Sequence, residues 1–322
     1  MKKFILKSGL YIVLILLLLE GLVRIFHLYT EDPPRFIDEY GVEKRMPNRK
    51  GYAVTGNRNQ NFSKFSINKA GFNSYREFEP TADTYEVALV GDSFIEGFHQ
   101  DYDTSIGKRV EEKLGDVQVL KYGYAGYDFA NQMHLVHAYA DDFEMIDEII
   151  LYMNYKNDLG RGEYEPNYAR INMLSSTLFK IRDNIKLLSY GSKIGIVEPL
   201  KKLAQGGNAF TDTNDAYKNN ALEEDDEAKQ KAKDDEYIDN FRSLIRLYGL
   251  DKSKTAILLD SRTTSVRFLD FLNEKGIRYI DFAERFRQSN QPTNLIYDLH
   301  WNSHGRELIS EEIAAYILKQ RK

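Results

Sequence analysis

The sequence predicts an α/β fold in which helices cover both faces of a largely parallel β-sheet. Short apolar runs of strand length alternate with segments of helical periodicity over residues 85–153 and again over residues 255–318. This order is typical of parallel sheets, because each crossover carries a helix back over one face. The composition agrees, since 42% hydrophobic and 29% charged residues exclude a wholly disordered, collagen-like or coiled-coil chain.

Charge and cysteine content exclude several classes of function. The formal net charge is −5, so no global basic field is present to hold nucleic acid. Residues 223–236 contain eight acids and three lysines, a net of −5, so the acidity of the chain is local. The absence of cysteine excludes disulfides, thiolate metal sites and cysteine nucleophiles. Neither a Walker-type loop nor a Rossmann glycine fingerprint is present, and we expect no cofactor.

The N-terminus predicts a membrane anchor. Residues 5–26 contain only Lys7, Glu20 and Arg24 as charges. A helix of this length is roughly 33 Å long, close to the thickness of a hydrocarbon core. Lysines precede it and acids follow it, so the positive-inside rule predicts a cytoplasmic N-terminus and a periplasmic or extracellular remainder. A cleaved signal sequence is the alternative, although the residues after Leu19 make a poor cleavage site.

The rest of the chain is predicted to divide into four parts after an anchor of residues 1–29. A connecting segment with short strands, such as 62–67, occupies residues 30–83, and the alternating core occupies residues 84–163 and 253–322. The predicted core strands are 85–90, 117–122, 146–153, 255–259 and 278–282. The predicted core helices are 103–114, 129–140, 266–275 and 303–318.

Residues 164–252 interrupt the alternation and are predicted to be an insertion on the core. Apolar patches predict helices at 174–188 and 196–203, and an amphipathic pattern predicts another at 237–248. The acidic run between them favours a solvated helix face or a disordered loop over a binding site. We expect the insertion to act as a cap or as a surface for an envelope-protein partner.

Ser93 is the candidate nucleophile. The tripeptide Gly91-Asp92-Ser93 directly follows the first core strand, and the functional groups of open parallel sheets collect at strand carboxyl ends. A serine that opens a helix there has an exposed hydroxyl and an N–H near the helix N-terminus, which suits a nucleophile that stabilises an oxyanion. The alternative is an ordinary N-cap at Asp92 or Ser93. The Gly-x-Ser-x-Gly elbow of common α/β-hydrolases is absent.

His300 is the candidate general base. In an extended segment, residues two apart point the same way, so Asp298 can reach one imidazole nitrogen and leave the other for a serine proton. The alternative is a polar turn before the last helix, with Asn302 or Ser303 as its N-cap.

Two further segments follow the second and third predicted strands. Residues 122–127 carry Gly126, and Asn157 lies after the third strand. A glycine N–H and an asparagine amide at these strand ends can both point at one oxyanion, although plain turn chemistry is the alternative for each.

These four segments, in this order, resemble the SGNH/GDSL hydrolases over residues 85–158 and 255–322. The resemblance implies a flavodoxin-like three-layer fold. It also implies that Ser93 is the nucleophile and first oxyanion donor, that Gly126 and Asn157 are the other donors, and that His300 is the base oriented by Asp298. The family usually has glycine two residues before the asparagine. Here that position is Tyr155, so we expect a different local loop.

The anchor and the segment 68–72, Asn-x-x-Gly-Phe, are similar to those of bacterial membrane-anchored members of this family. Some relatives act on O-acetyl groups of cell-surface polysaccharides. The resemblance therefore implies an exported esterase acting on small acyl esters, acetyl in the first instance, of a glycan. A polysaccharide O-acetyltransferase and a non-catalytic protein that binds a glycan or a partner are the alternatives.

A metal site is a weaker hypothesis. His134 and His137 are three apart on a predicted helix and can share a metal, but no His-Glu-x-x-His pattern accompanies them. We therefore expect ordinary surface or core histidines and no metal.

Overall fold

A computed structural model describes residues 1–55, 61–195, 227–296 and 299–321. The described helices are α1 Lys2–Ile25, α2 Ser93–Glu96, α3 Ile106–Leu114, α4 Phe129–Ala138, α5 Ala140–Met145, α6 Tyr168–Leu174, α7 Thr177–Asn184, α8 Lys186–Lys193, α9 Glu227–Tyr248, α10 Val266–Glu274, α11 Ala283–Gln288 and α12 Ser303–Gln320. The described strands are β1 Arg35–Ile37, β2 Glu43–Arg45, β3 Lys50–Thr55, β4 Asn61–Ser66, β5 Tyr85–Gly91, β6 Val117–Gly123, β7 Glu148–Tyr152, β8 Thr255–Leu259 and β9 Arg278–Asp281.

Strands β5 to β9 form a five-stranded sheet in the order β6-β5-β7-β8-β9, and every neighbouring pair is parallel. All residues of β7 and β8 are buried, as expected for apolar strands that are covered on both faces. The chain runs from β5 to β6 on one side and then crosses to β7 on the other. The order therefore reverses beside β5, where open α/β sheets place their ligands.

Helices cover both faces of this sheet. One face packs against α4, α9 and α10, in a core that contains Phe129, Phe241 and Phe268. The other face packs against α3, α11 and α12, in a core that contains Val110 and Ile313. The arrangement confirms the predicted fold class, an α/β protein with three layers.

Two antiparallel hairpins, β1–β2 and β3–β4, lie in the segment that precedes the sheet. Phe72, which follows them, is buried in the same core as α4. The Phe65 ring of β4 stacks on Phe98, just beyond α2, with centroids 4.8 Å apart. Residues 30–55 and 61–83 thus pack in part onto the sheet domain, close to the carboxyl end of β5.

The helices of the insertion differ from those that the sequence predicts. The region of the predicted helix 174–188 is divided among the last residue of α6, the whole of α7 and the start of α8, because the backbone is extended at Ser176 and Ile185. The predicted helix 196–203 lies outside the described residues, as does the start of the acidic run, residues 223–226. The remainder of that run begins α9.

Helix α1 is long and apolar enough to cross a membrane, and it is the one helix of this kind among the described residues. Its mean hydropathy reaches 2.1, and its side chains are largely exposed, with Val23 buried near its end. Glu20 of α1 accepts hydrogen bonds from the backbone N–H groups of Lys186 and Leu187, at 3.0 and 2.7 Å. The end of α1 is therefore joined to the start of α8.

Candidate active site

The loops that follow β5, β6 and β7 meet at one edge of the sheet. Gly91 at the end of β5 is in register with Gly123 at the end of β6, and the N–H of Tyr124 donates to the Gly91 carbonyl at 3.0 Å. The N–H of Phe129 donates to the carbonyl of Asp158, beyond β7, at 3.1 Å. These bonds hold the three candidate loops together at the carboxyl edge, as the strand order predicts.

Ser93 is the first residue of α2, directly beyond β5. The Asp92 carboxylate accepts the N–H of Phe94 at 2.8 Å and so caps this short helix. Asp92, not Ser93, is therefore the N-cap. A Cβ at Gly123 would lie 2.1 Å from the backbone nitrogen of Glu96. Glycine at this position therefore lets α2 pack directly against the end of β6.

Ser93 and His300 are in direct contact although 207 residues separate them in the chain. The Ser93 Oγ and the His300 Nε2 are 2.8 Å apart, a normal hydrogen-bond distance. The N–H of Leu295 donates to the His300 carbonyl at 2.7 Å and fixes the segment before α12. Asp298, the predicted orienting carboxylate, lies outside the described residues.

Two aromatic rings that the sequence did not assign to the site pack against the His300 imidazole. The His99 ring stacks on it with a centroid separation of 3.7 Å and an interplanar angle of 24°. The Phe94 ring lies 4.5 Å from it and also contacts Trp301, which is buried. These contacts define the position of the His300 ring, the candidate base. The sequence offered no signal for His99 beyond its place six residues after Ser93.

Hairpin β3–β4 supports the loop that carries His99. The Ser63 hydroxyl donates to the Phe98 carbonyl, and the Asn61 side-chain amide donates to the His99 carbonyl. Ser63 is almost fully buried. The segment that precedes the sheet domain therefore contacts the loop that stacks on His300.

The two other predicted oxyanion donors lie in the neighbouring loops. Gly126 has a φ of 101°, a left-handed conformation that favours glycine, and a Cβ there would lie 2.3 Å from the Arg170 Nη1. Arg35 and Arg170 both donate to the carbonyl of Ala125, at 2.8 and 3.1 Å. Asn157 is exposed at the end of the β7 loop. Helix α6 of the insertion thus contacts, through Arg170, the loop after β6 that carries Gly126, which we call the glycine loop.

Solved structures provide a comparison for this arrangement. A lipolytic protein of the G-D-S-L family from Veillonella parvula is 13% identical, with 73% of this chain and 100% of that one covered and a TM-score of 0.40. A psychrotrophic esterase from a Pseudoalteromonas species is 10% identical, with 73% and 97% covered and a TM-score of 0.39. A lipase/acylhydrolase from Enterococcus faecalis is 12% identical, with 74% and 97% covered and a TM-score of 0.37. No protein-family model and no curated protein matches the sequence.

Two carboxyl groups with raised pKa values lie beside the serine. Burial, which disfavours the charged form, raises the pKa of Asp92 to about 7. Burial and then the charge of Asp92 raise the pKa of Asp158 well above its usual range. The Asp158 carboxyl accepts the backbone N–H of Asn154 at 2.8 Å, which ties the loop beyond β7 to this pair.

A buried ion pair fixes α2 from below. Arg45 of β2 and Glu96 of α2 are 2.8 Å apart, with each side chain 2% exposed. The Asn73 amide and the Lys121 ammonium both donate to the Glu96 carbonyl, at 2.8 and 3.1 Å. Burial lowers the pKa of Lys121 to about 7. Sequence reasoning did not find Arg45 or Glu96, because nothing in the sequence indicates which distant charges will pair.

Tyr155, where the hydrolases that the sequence resembles usually have glycine, is held by the insertion. Its hydroxyl donates to the Asp234 carboxylate of α9 at 2.7 Å, and both side chains are buried. Its ring also packs edge-on against Tyr237. The tyrosine therefore joins the β7 loop to α9.

His134 and His137 lie on α4, away from Ser93. The His134 Nε2 is 3.0 Å from the Tyr40 carbonyl, and its ring stacks on Tyr164 at 4.3 Å. Burial lowers the pKa of His134. In the part of the chain that the structure describes, no three His, Cys, Asp or Glu side chains are grouped as metal ligands would be.

Proposed function

We propose that this chain is a serine esterase that forms an acyl-enzyme on Ser93 with His300 as the general base. The observation that carries this proposal is the 2.8 Å separation of the Ser93 Oγ and the His300 Nε2 at the carboxyl edge of a parallel sheet. A nucleophile within hydrogen-bond reach of its base is the geometric requirement for this chemistry.

The proposed reaction has two steps, which are the formation of an acyl-enzyme and its hydrolysis. The Ser93 oxygen attacks the ester carbonyl while its proton passes to the His300 Nε2. The tetrahedral intermediate then expels the alcohol, which takes that proton, and leaves an acyl ester on Ser93. Water attacks this ester with His300 again accepting a proton, and collapse returns the proton to Ser93 and releases the acid.

The negative charge of each tetrahedral intermediate needs hydrogen-bond donors. The N–H of Ser93 lies in the first turn of α2, where helix N–H groups have no intrahelical acceptor. The proposal assigns the second and third donors to the Gly126 N–H and the Asn157 amide. It assigns Asp298 to the orientation of His300.

The proposed substrate is a small acyl ester, acetyl in the first instance, of a cell-surface glycan. This assignment extends the family resemblance of the four sequence segments. Transfer of the same acyl group to a polysaccharide hydroxyl is the alternative outcome, because the acyl-enzyme is common to both reactions.

The proposed location is a cell membrane, with α1 as a single-pass anchor and the sheet domain outside the cytoplasm. The largely exposed apolar side chains of α1 and the lysines at its start support this location. If α1 is instead a cleaved signal sequence, the mature protein lacks it. The intact mass of the protein purified from its native host tests this directly.

The full chain in detergent is tested with p-nitrophenyl acetate. Replacing Ser93→Ala is expected to abolish turnover, and His300→Gln is expected to lower kcat by about 100- to 10,000-fold. Ser253→Ala, at an exposed position in the turn before β8 and so at the opposite, amino edge of the sheet, is the matched control and is expected to keep full activity. Equal turnover by the Ser93→Ala variant and the unmodified chain would contradict the proposal.

Product analysis separates the two reactions. With an oligosaccharide acceptor added, an esterase gives free acetate alone, whereas a transferase gives an acetylated oligosaccharide. A chain that releases no acetate and modifies no sugar, yet binds the glycan, would favour the non-catalytic alternative.

A further inference from the structure

Helices α7 and α8 of the insertion carry a stripe of exposed apolar side chains. Leu178 and Ile181 lie one turn apart on α7, Ile185 is at the extended junction between the two helices, and Leu188 is on α8. Their exposed fractions are 79, 46, 42 and 41%. Large apolar side chains exposed in a row mark a surface that another apolar phase covers.

The stripe lies beside the C-terminal end of α1, where the apolar part of that helix ends. Glu20 is the first charged residue of α1 after Lys7. Its carboxylate accepts hydrogen bonds from the backbone N–H groups of Lys186 and Leu187. Arg24, one turn later, donates to the carbonyl of Asn184 at 2.7 Å. The α7–α8 junction is therefore within hydrogen-bond distance of the point where the proposed anchor reaches the membrane boundary.

The charges of the same helices fit an anionic surface. Residues 177–193 carry Lys180, Arg182 and Lys186 against Asp183, a net of +2 in addition to Lys193, which bonds the Val54 carbonyl. An apolar stripe with basic residues beside it is typical of helices that lie in the plane of a membrane interface.

We infer that α7 and α8 form a membrane-surface platform, Thr177–Lys193, that rests in the lipid interface beside α1. This inference rests on the membrane anchoring proposed above and commits to lipid as the occupant, because the α7–α8 junction is hydrogen-bonded to the end of the bilayer-spanning helix. Lys193 donates to the Val54 carbonyl of β3 at 2.7 Å, so the platform also contacts hairpin β3–β4. The sheet domain is thereby held at a fixed orientation on the membrane.

The cysteine-free chain allows a direct test by single-cysteine labelling. Leu178→Cys and Ile185→Cys report on the platform, Leu14→Cys reports on the anchor, and Val266→Cys is an exposed control on α10. Each full chain is labelled with an environment-sensitive fluorophore and reconstituted in nanodiscs of phosphatidylcholine and phosphatidylglycerol. Lipids with a doxyl quencher on the acyl chain are then added to the bilayer composition.

The expected result is strong quenching at positions 14, 178 and 185, at least about twofold greater than at position 266. Adding Ile181→Glu to the Leu178→Cys chain is expected to reduce its quenching towards the control, because a charge in the stripe opposes burial in lipid.

The outcomes separate this inference from the anchor on which it rests. Quenching at position 14 with control-level values at 178 and 185 overturns the platform and leaves the anchor standing. Control-level quenching at position 14 overturns both. A blue-shifted label at 178 that the lipid quencher does not reach would indicate a protein partner or a second copy, and would overturn the lipid assignment.

Discussion

The imidazole of His300 is positioned by rings as well as by Ser93. His99 stacks on it at 3.7 Å, and Phe94 contacts it at 4.5 Å. A stacked aromatic pair contributes about 0.5–1.5 kcal/mol. His99 therefore acts on the base through packing, as a positioning residue.

Replacing His99→Ala is expected to lower kcat by about 3- to 10-fold with little change in KM, because the base loses part of its support. His99→Phe keeps a stacking ring and is expected to retain kcat within about twofold. Steady-state kinetics of both variants, with their melting temperatures, check this. A His99→Ala variant with unchanged kcat, or a His99→Phe variant as slow as His99→Ala, would contradict the positioning role.

Replacing Gly126 tests whether the glycine loop needs its left-handed backbone conformation. Alanine at a φ of 101° is strained, and its Cβ would meet the end of the Arg170 side chain. Because Arg170 is flexible and the backbone is not, Gly126→Ala is expected to lower kcat by about 10-fold or more, and adding Arg170→Ala is expected not to restore it. Full recovery in the double variant would show that crowding, not backbone conformation, is decisive.

The sequence predicted single site residues only where local pattern defines them. Ser93 and His300 each follow from their position next to a strand or a helix, and the structure brings them into contact. His99 and Arg45 act through contacts between segments far apart in the chain, and no local pattern specifies such contacts.

The elements of the sheet were predicted well because their patterns are strong. Strands β5 to β9 are short apolar runs between turn residues, and each predicted core strand has a counterpart in the structure. The insertion was predicted less well. Its short helices are broken at Ser176 and Ile185, where the apolar pattern continues but the backbone is extended.

The contact between the insertion and the core is tested at Tyr155. Tyr155→Phe removes the hydrogen bond to the buried Asp234 carboxylate, which keeps its bond from Gln230. We expect a loss of about 1 kcal/mol in the free energy of unfolding and a melting temperature about 2–4 °C lower. Tyr168→Phe, at an exposed position on α6, is the control and is expected to melt like the unmodified chain. Equal melting of the two variants would contradict this role for Tyr155.

Across the whole molecule, the segment before the sheet does more than connect an anchor to a domain. Arg45 pairs with Glu96 of α2, and β4 holds the loop of His99. Helix α1, the hairpins and the edge that carries Ser93 are therefore linked through a series of direct contacts, in part by way of α8. The sequence suggested a polar connecting segment here, because turn residues dominate it and its long-range partners are not visible in the chain.

The stability of the protein is expected to depend on pH through Asp92. Its pKa is about 7 in the folded state and near 3.8 when unfolded, so the folded state binds more protons between pH 4 and pH 7. The free energy of unfolding from this group therefore falls as the pH rises through that range, by up to about 4 kcal/mol. Asp92→Asn stays neutral and keeps an N-cap, so it is expected to lose less stability over this range.

Denaturation of the full chain in detergent, followed by the fluorescence of the single tryptophan Trp301, checks this at pH 4 and pH 7. Asp239→Asn, at an exposed carboxylate, is the matched control and is expected to follow the unmodified chain. The same loss of stability in the Asp92→Asn variant as in the unmodified chain would contradict the assignment.

The most direct test of the proposed function is covalent labelling of the full chain by a fluorophosphonate. We expect one adduct by intact mass, located at Ser93 by peptide mapping, because the His300 contact activates this hydroxyl. His300→Gln is expected to slow labelling by about 100-fold or more. An unmodified chain that stays unlabelled, an adduct on a different serine, or labelling at the same rate in the His300→Gln variant would contradict a catalytic Ser93–His300 pair.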